Sequence, residues 1–146
     1  MDKKYIILAD DDADDRLFFE EILADLAQNV SLECVENGLE AMRRLNDEKK
    51  ILPDVLFLDL NMPLQSGHDC LKQIRASNRL KDLTVIMYST SLHSETVDIL
   101  HKDGADYYIC KPGDYSALKK TIQRAISLVG QNRSPKIPKS EFVITI

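Results

Sequence analysis

The chain has 146 residues, 44% of them apolar and 29% charged, with a net charge of −5. That size suits one domain around one sizeable core. The acidic balance argues against a general nucleic-acid binder, which needs a basic face for phosphate. No apolar run approaches the roughly 20 residues of a membrane-spanning helix, and a secretory signal is not expected, since Met1-Asp2-Lys3-Lys4 leads into only five apolar residues before the acids.

In chain order, the first apolar run is Tyr5 to Ala9, followed at once by Asp10-Asp11-Asp12-Ala13-Asp14-Asp15. Leu17 to Leu26 then carry apolar residues at helical spacing, with Phe19, Ile22, Leu23 and Leu26 on one stripe. Val30 to Val35 alternates in polarity, as an edge strand does. Asn37-Gly38 opens a second helix through Leu39, Met42 and Leu45. Asp54 to Leu58 is a strand fully covered by apolar neighbours, with Asp59 directly behind it. Ser66-Gly67 opens a third helix. Leu83 to Met87 is a fourth strand, leading to Tyr88-Ser89-Thr90-Ser91. A fourth helix runs from Ser94 to a cap at Gly104. Tyr107 to Cys110 is a fifth strand, ending on Lys111-Pro112, and Tyr115 to Val129 is a fifth helix closed by Gly130.

Strand and helix alternating five times predict an α/β domain, a doubly wound parallel sheet with helices on both faces. Right-handed crossovers put the strand C-termini at one rim, where ligands bind. Asp10, Asp11, Asp59, Ser89 and Lys111 all fall at that rim. Residues 3–130 are therefore read as one domain and 131–146 as an extension. In it, 131–140 is an extended linker and Glu141 to Ile146 a strand burying Phe142, Ile144 and Ile146 on one face. This strand is expected to add to a sheet edge or pack on another subunit.

The chemistry follows from the rim. Carboxylates that close repel one another unless a cation joins them, and a hard divalent ion such as Mg²⁺ takes compact oxygen ligands. Asp12, Asp14 and Asp15 fall where the first helix begins and are expected to cap it. Asp59 is placed to attack an electrophilic phosphorus, with the metal and Lys111 neutralising the phosphoryl oxygens and Ser89 donating a hydrogen bond. Lys111-Pro112 is a candidate cis bond. The three cysteines show no zinc spacing and are read as reduced core thiols. The histidines, His68, His93 and His101, are read as surface residues. On the residues alone, a metal-dependent phosphatase and a binding module that is never phosphorylated remain alternatives. The former is disfavoured by Asn61, which stands where such enzymes carry a second acid.

The set Asp10-Asp11, Asp59 with Asn61-Met62-Pro63 and Gly67 behind it, Ser89, and Lys111-Pro112 resembles the receiver domain of two-component response regulators over residues 3 to 130. The resemblance implies a flavodoxin-like (βα)5 fold with strand order 2-1-3-4-5. It implies Asp59 as phosphoacceptor from a sensor histidine kinase or histidine phosphotransfer protein. Asp11, Asp59 and the backbone carbonyl of Asn61 would ligate Mg²⁺, with Asp10 helping through water. Ser89 and Tyr108 would be the switch pair, the ring turning inward as the hydroxyl moves toward the phosphoryl group, while Lys111 pairs with that group. A stand-alone cytoplasmic receiver is expected, not a substrate-turnover enzyme. It would act on an unknown downstream protein or as a homodimer through the helix 4–strand 5–helix 5 face or the C-terminal tail. Neither nucleic acid nor membrane is an expected partner. Three positions depart from the family pattern: Ala9 for valine, Thr90 for a smaller residue, and Gly113 for a bulky apolar one.

Overall fold

The apolar runs form a parallel sheet in the computed structural model, which describes residues 3–26, 29–129 and 137–145. Strands β1 (Lys4–Ala9), β2 (Val30–Val35), β3 (Val55–Asp59), β4 (Val85–Ser89) and β5 (Tyr107–Cys110) lie in the order β2-β1-β3-β4-β5. Strands β3 and β4 are buried along their whole length, whereas β2 is half-exposed, as its alternating sequence predicts for an edge. Strand β4 starts later than its apolar run, because the Leu83 amide still closes a turn onto the Leu80 carbonyl.

Helices cover both faces. Phe19, Ile22 and Leu23 of α1 (Ala13–Leu26) and Leu118, Ile122 and Ala125 of α5 (Tyr115–Val129) pack on one side. The other side takes Met42 and Leu45 of α2 (Gly38–Leu45), Leu71 and Ile74 of α3 (Gly67–Ala76), and Val97 and Leu100 of α4 (Ser94–Lys102). The Asn37 and Ser66 side chains accept from the amides of Glu40 and Asp69, capping α2 and α3. Gly67 is required by close approach: a Cβ there would lie 2.2 Å from the Asp59 carbonyl oxygen. The start of α3 is thus pressed against the end of β3, which fixes where Asp59 emerges.

The C-terminal segment extends the sheet. A turn of helix, α6 (Lys139–Phe142), leads into β6 (Val143–Ile144), which pairs in parallel with β5 through Tyr108↔Val143 and Ile109↔Ile144. The sheet is therefore six-stranded, with β6 at the edge beyond β5. Two expectations are corrected. Residues 139–142 are helical rather than linker and strand, with the Glu141 amide donating to the Pro138 carbonyl. Phe142 and Ile144 also do not share a face. Phe142 sits in the helical turn before the strand and packs with Tyr108 and the α4 side, while Ile144 packs with Ile109 and the α5 side. Burying Phe142 completely contributes roughly 1.5–3 kcal/mol to holding the segment in place. Gly130 as a helix stop, the linker at 131–136 and Ile146 lie outside the described residues.

Candidate functional site

Strand β1 ends at Ala9, and Asp10 takes the next position, its amide donating to the Val35 carbonyl (3.1 Å). Asp10 is 0% exposed, so its carboxylate needs partners. Oδ1 accepts from the Asp12 amide (2.9 Å) and Oδ2 from Lys111 Nζ (3.0 Å). The Arg16 guanidinium donates to the Asp10 backbone carbonyl from the first turns of α1 (2.8 Å). Asp11 is exposed at the mouth. Asp59, the last residue of β3, is 7% exposed, and its Oδ1 accepts from the Asn61 amide (3.3 Å). Carboxylate oxygens of Asp10, Asp11 and Asp59 all lie within 4.8 Å of one another, so the three acids expected to converge do so.

Lys111 leaves β5 and reaches into this cluster. Its ammonium lies 2.9 Å from Asp15 Oδ2, 3.0 Å from Asp10 Oδ2 and 3.7 Å from Asp59 Oδ2, and 4.5 Å from the centre of the Tyr88 ring. Two expectations change here. No described peptide bond is cis, so Lys111-Pro112 is trans. Asp15 is more than a helix-start acid, because it holds the lysine. Capping belongs to Asp12, whose Oδ1 accepts from the amides of Asp14 (2.8 Å) and Asp15 (3.2 Å).

Three carboxylates, those of Asp10, Asp15 and Asp59, thus face one ammonium, and Asp11 adds a fourth negative charge beside Asp10 and Asp59. Burial pushes the Asp59 pKa up to about 7, Lys111 pulls it down, and Asp10 adds repulsion. Burial would lower the Lys111 pKa, but Asp59 and Asp10 outweigh it and hold the lysine above its ordinary value. An all-oxygen cluster with surplus negative charge fits a hard divalent cation. The Asn61 backbone carbonyl belongs to the loop that leaves Asp59.

Ser89 ends β4 and is 1% exposed; its Oγ accepts from the Ser91 amide (3.2 Å). The Tyr108 hydroxyl donates to the Ser91 carbonyl, and its ring is fully buried. The histidines stand apart from the acids. His93 is exposed, but His68 pairs with Asp103 (2.6 Å) and His101 donates to the Ile137 carbonyl (2.8 Å), so these two tie elements together rather than lie free on the surface. A cavity of about 430 Å³, lined by Lys3, Tyr5, Ser31, Arg44, Lys50 and Ile51, lies toward the N-terminal end of β1 and contributes nothing to the cluster. Among the described residues, no helix is long and apolar enough to cross a membrane.

Comparison with known proteins agrees with this geometry. The chain is similar to chemotaxis protein CheY1 of Helicobacter pylori, 33% identical over 120 residues that make up 81% of this chain and 93% of that protein. Its fold matches the phosphorylated cyanobacterial phytochrome response regulator RcpA with a TM-score of 0.79 at 29% identity, covering 86% of this chain and 91% of that one. It matches the Mn²⁺-bound form of response regulator Rcp1 with a TM-score of 0.81 at 26% identity, covering 90% and 99% of the two chains. The family model described as the response regulator receiver domain matches residues 6–123. With the acids, hydroxyl and lysine gathered at the rim of a 2-1-3-4-5 sheet, the chain belongs to the response regulator receiver domains of two-component signalling.

Proposed function

We propose that the protein is a phosphorylation-driven switch in which Asp59 accepts a phosphoryl group from a sensor histidine kinase or a histidine phosphotransfer protein. One observation carries this reading: the Asp59 carboxylate sits at the mouth of β3 with Lys111 3.7 Å away and two further acids within ligand reach. An Asp59 oxygen attacks phosphorus. An O–P bond forms as the donor's N–P bond breaks, and the electron pair leaves with the histidine ring. Lys111 pairs with the phosphoryl oxygens and Ser89 donates to one of them, both held in place beforehand by strand ends.

Asp10, Asp11, Asp59 and the Asn61 carbonyl are the residues that would hold Mg²⁺. When bound, the cation supplies positive charge that keeps Asp59 ionised and neutralises the transferred group. The Mn²⁺-bound and phosphorylated relatives support this assignment. The protein makes and loses its own acyl phosphate rather than turning over a substrate. The movement of Ser89 and Tyr108 changes the α4–β5–α5 face, which biases binding of a downstream protein or of a second copy, through that face or through the C-terminal segment. The cytoplasm, where such kinases present their phosphoryl groups, is the proposed compartment. Intact-mass analysis after treatment with acetyl phosphate tests the reading. A gain of one phosphoryl group that needs Mg²⁺ supports it; no gain by folded wild type with Mg²⁺ refutes it.

A further inference from the structure

The C-terminal segment touches the switch residue directly. Phe142 is 0% exposed, and its ring meets His101 of α4 (centroids 4.9 Å apart) and Tyr108 of β5 (6.4 Å). Three further contacts fix this placement: the pairing of β6 on Tyr108 and Ile109, the His101 hydrogen bond to the Ile137 carbonyl, and the ion pair of Lys139 with Asp98 (2.6 Å). The ion pair is exposed and adds little by itself. The β-pairing and the buried ring set the position.

From Phe142 a continuous set of contacts runs to the phosphoryl site. Phe142 packs on the Tyr108 ring, the Tyr108 hydroxyl is bonded to the Ser91 carbonyl, and the Ser91 amide is bonded to Ser89 Oγ. Ser89 is the residue after Tyr88, which is the register partner of Asp59. With the segment docked, the Tyr108 ring is fully buried. In the reading of the switch given above, inward is the position the phosphoryl group favours.

We infer that Phe142 is a positioning residue for the phosphoryl switch: by packing against Tyr108 it holds the ring inward, so docking of residues 137–145 and phosphoryl acceptance at Asp59 favour the same state. The inference rests on the Asp59 reading. Because coupling is reciprocal, removing Phe142 weakens capture of a phosphoryl group, and capture of a phosphoryl group tightens the docked segment. The segment therefore adjusts the response of the acid cluster without touching it.

Beryllofluoride with Mg²⁺, a stable mimic of the phosphoryl group, is the probe. In the full chain, Phe142→Ala is expected to weaken beryllofluoride binding by roughly fivefold or more, the lower end of ordinary coupling, and Phe142→Leu to restore most of it. The loss should vanish when Tyr108→Ala is already present, which a merely structural role of Phe142 would not produce. Independently of any variant, beryllofluoride should slow hydrogen exchange at the amides of Val143 and Ile144 in wild type. Equal or tighter binding by folded Phe142→Ala, the same loss in the Tyr108→Ala background, or unchanged or faster exchange at Val143 and Ile144 would each overturn the inference. Failure of folded wild type to bind beryllofluoride at all would overturn the Asp59 reading beneath it, a result separable by its identical appearance in every variant.

Discussion

Asp59→Asn should stabilise the metal-free protein while abolishing its function. Burial raises the Asp59 pKa from 3.8 to about 7. Each unit corresponds to about 1.4 kcal/mol, so the ionised carboxylate costs the fold up to about 4 kcal/mol. That value already includes the attraction of Lys111, 3.7 Å away. Solvent screening at the mouth of the site and loss of the Asn61 amide's charge-assisted bond to the carboxylate reduce the net gain to about 1–3 kcal/mol. Because the folded pKa is raised, the folded wild type binds more protons than the unfolded chain between pH 3.8 and about 7, and its stability falls as pH rises through that window. Asparagine does not titrate. The advantage of the variant is therefore small near pH 4, grows through the window and is constant above pH 7. Thermal or urea unfolding of both proteins in EDTA at pH 4.5, 6 and 8 measures it, with a shift of about 2–4 °C per kcal/mol expected for a chain of this size. Saturating Mg²⁺ should then stabilise wild type and leave the variant unmoved, reversing part of the difference. A variant less stable than wild type at pH 8 in EDTA, or a gain independent of pH, would refute the electrostatic reasoning.

Two further substitutions probe the same site. Lys111→Ala leaves the fully buried Asp10 without its cation and should destabilise the protein by about 3 kcal/mol or more in urea unfolding, as well as slow phosphorylation by acetyl phosphate. Gly67→Ala places a Cβ 2.2 Å from the Asp59 carbonyl oxygen, so α3 or the end of β3 must shift. The expected outcome is a loss of about 2 kcal/mol or more in stability and weaker Mg²⁺ binding by titration, whereas unchanged Mg²⁺ affinity would show that the approach of α3 does not position Asp59.

The fold was legible because each strand is a short apolar run and each helix keeps one apolar stripe. The half-polar β2 even announced its place at the edge. The acids at the site were legible for a simple reason: Asp10 and Asp59 follow apolar strands directly, where an unpartnered carboxylate is costly. Asp15 was not, since an acid in the first turn of a helix already has a sufficient local explanation in the helix dipole. The available signal was that Asp12, two residues after Asp10, is itself a good cap, leaving Asp15 free to turn toward the rim. The C-terminal segment was half-legible. Alternation at Phe142 and Ile144 marked burial, but the single helical turn at Lys139–Phe142 redirects Phe142 to the Tyr108 side, and such a short turn has no periodicity to read. The Lys111-Pro112 bond was open for the same reason that any bend before proline is, because the preference of either isomer is small compared with what surrounding packing imposes.

The most direct test of the whole account locates the new bond. Wild type is treated with acetyl phosphate and Mg²⁺, the acyl phosphate is trapped by borohydride reduction, and the peptides are sequenced by mass spectrometry. Homoserine in place of Asp59, absent when EDTA replaces Mg²⁺, is the predicted result. Reduction at Asp10, Asp11 or Asp15 instead, or none at all in folded protein, would contradict the claim that Asp59 is the acceptor.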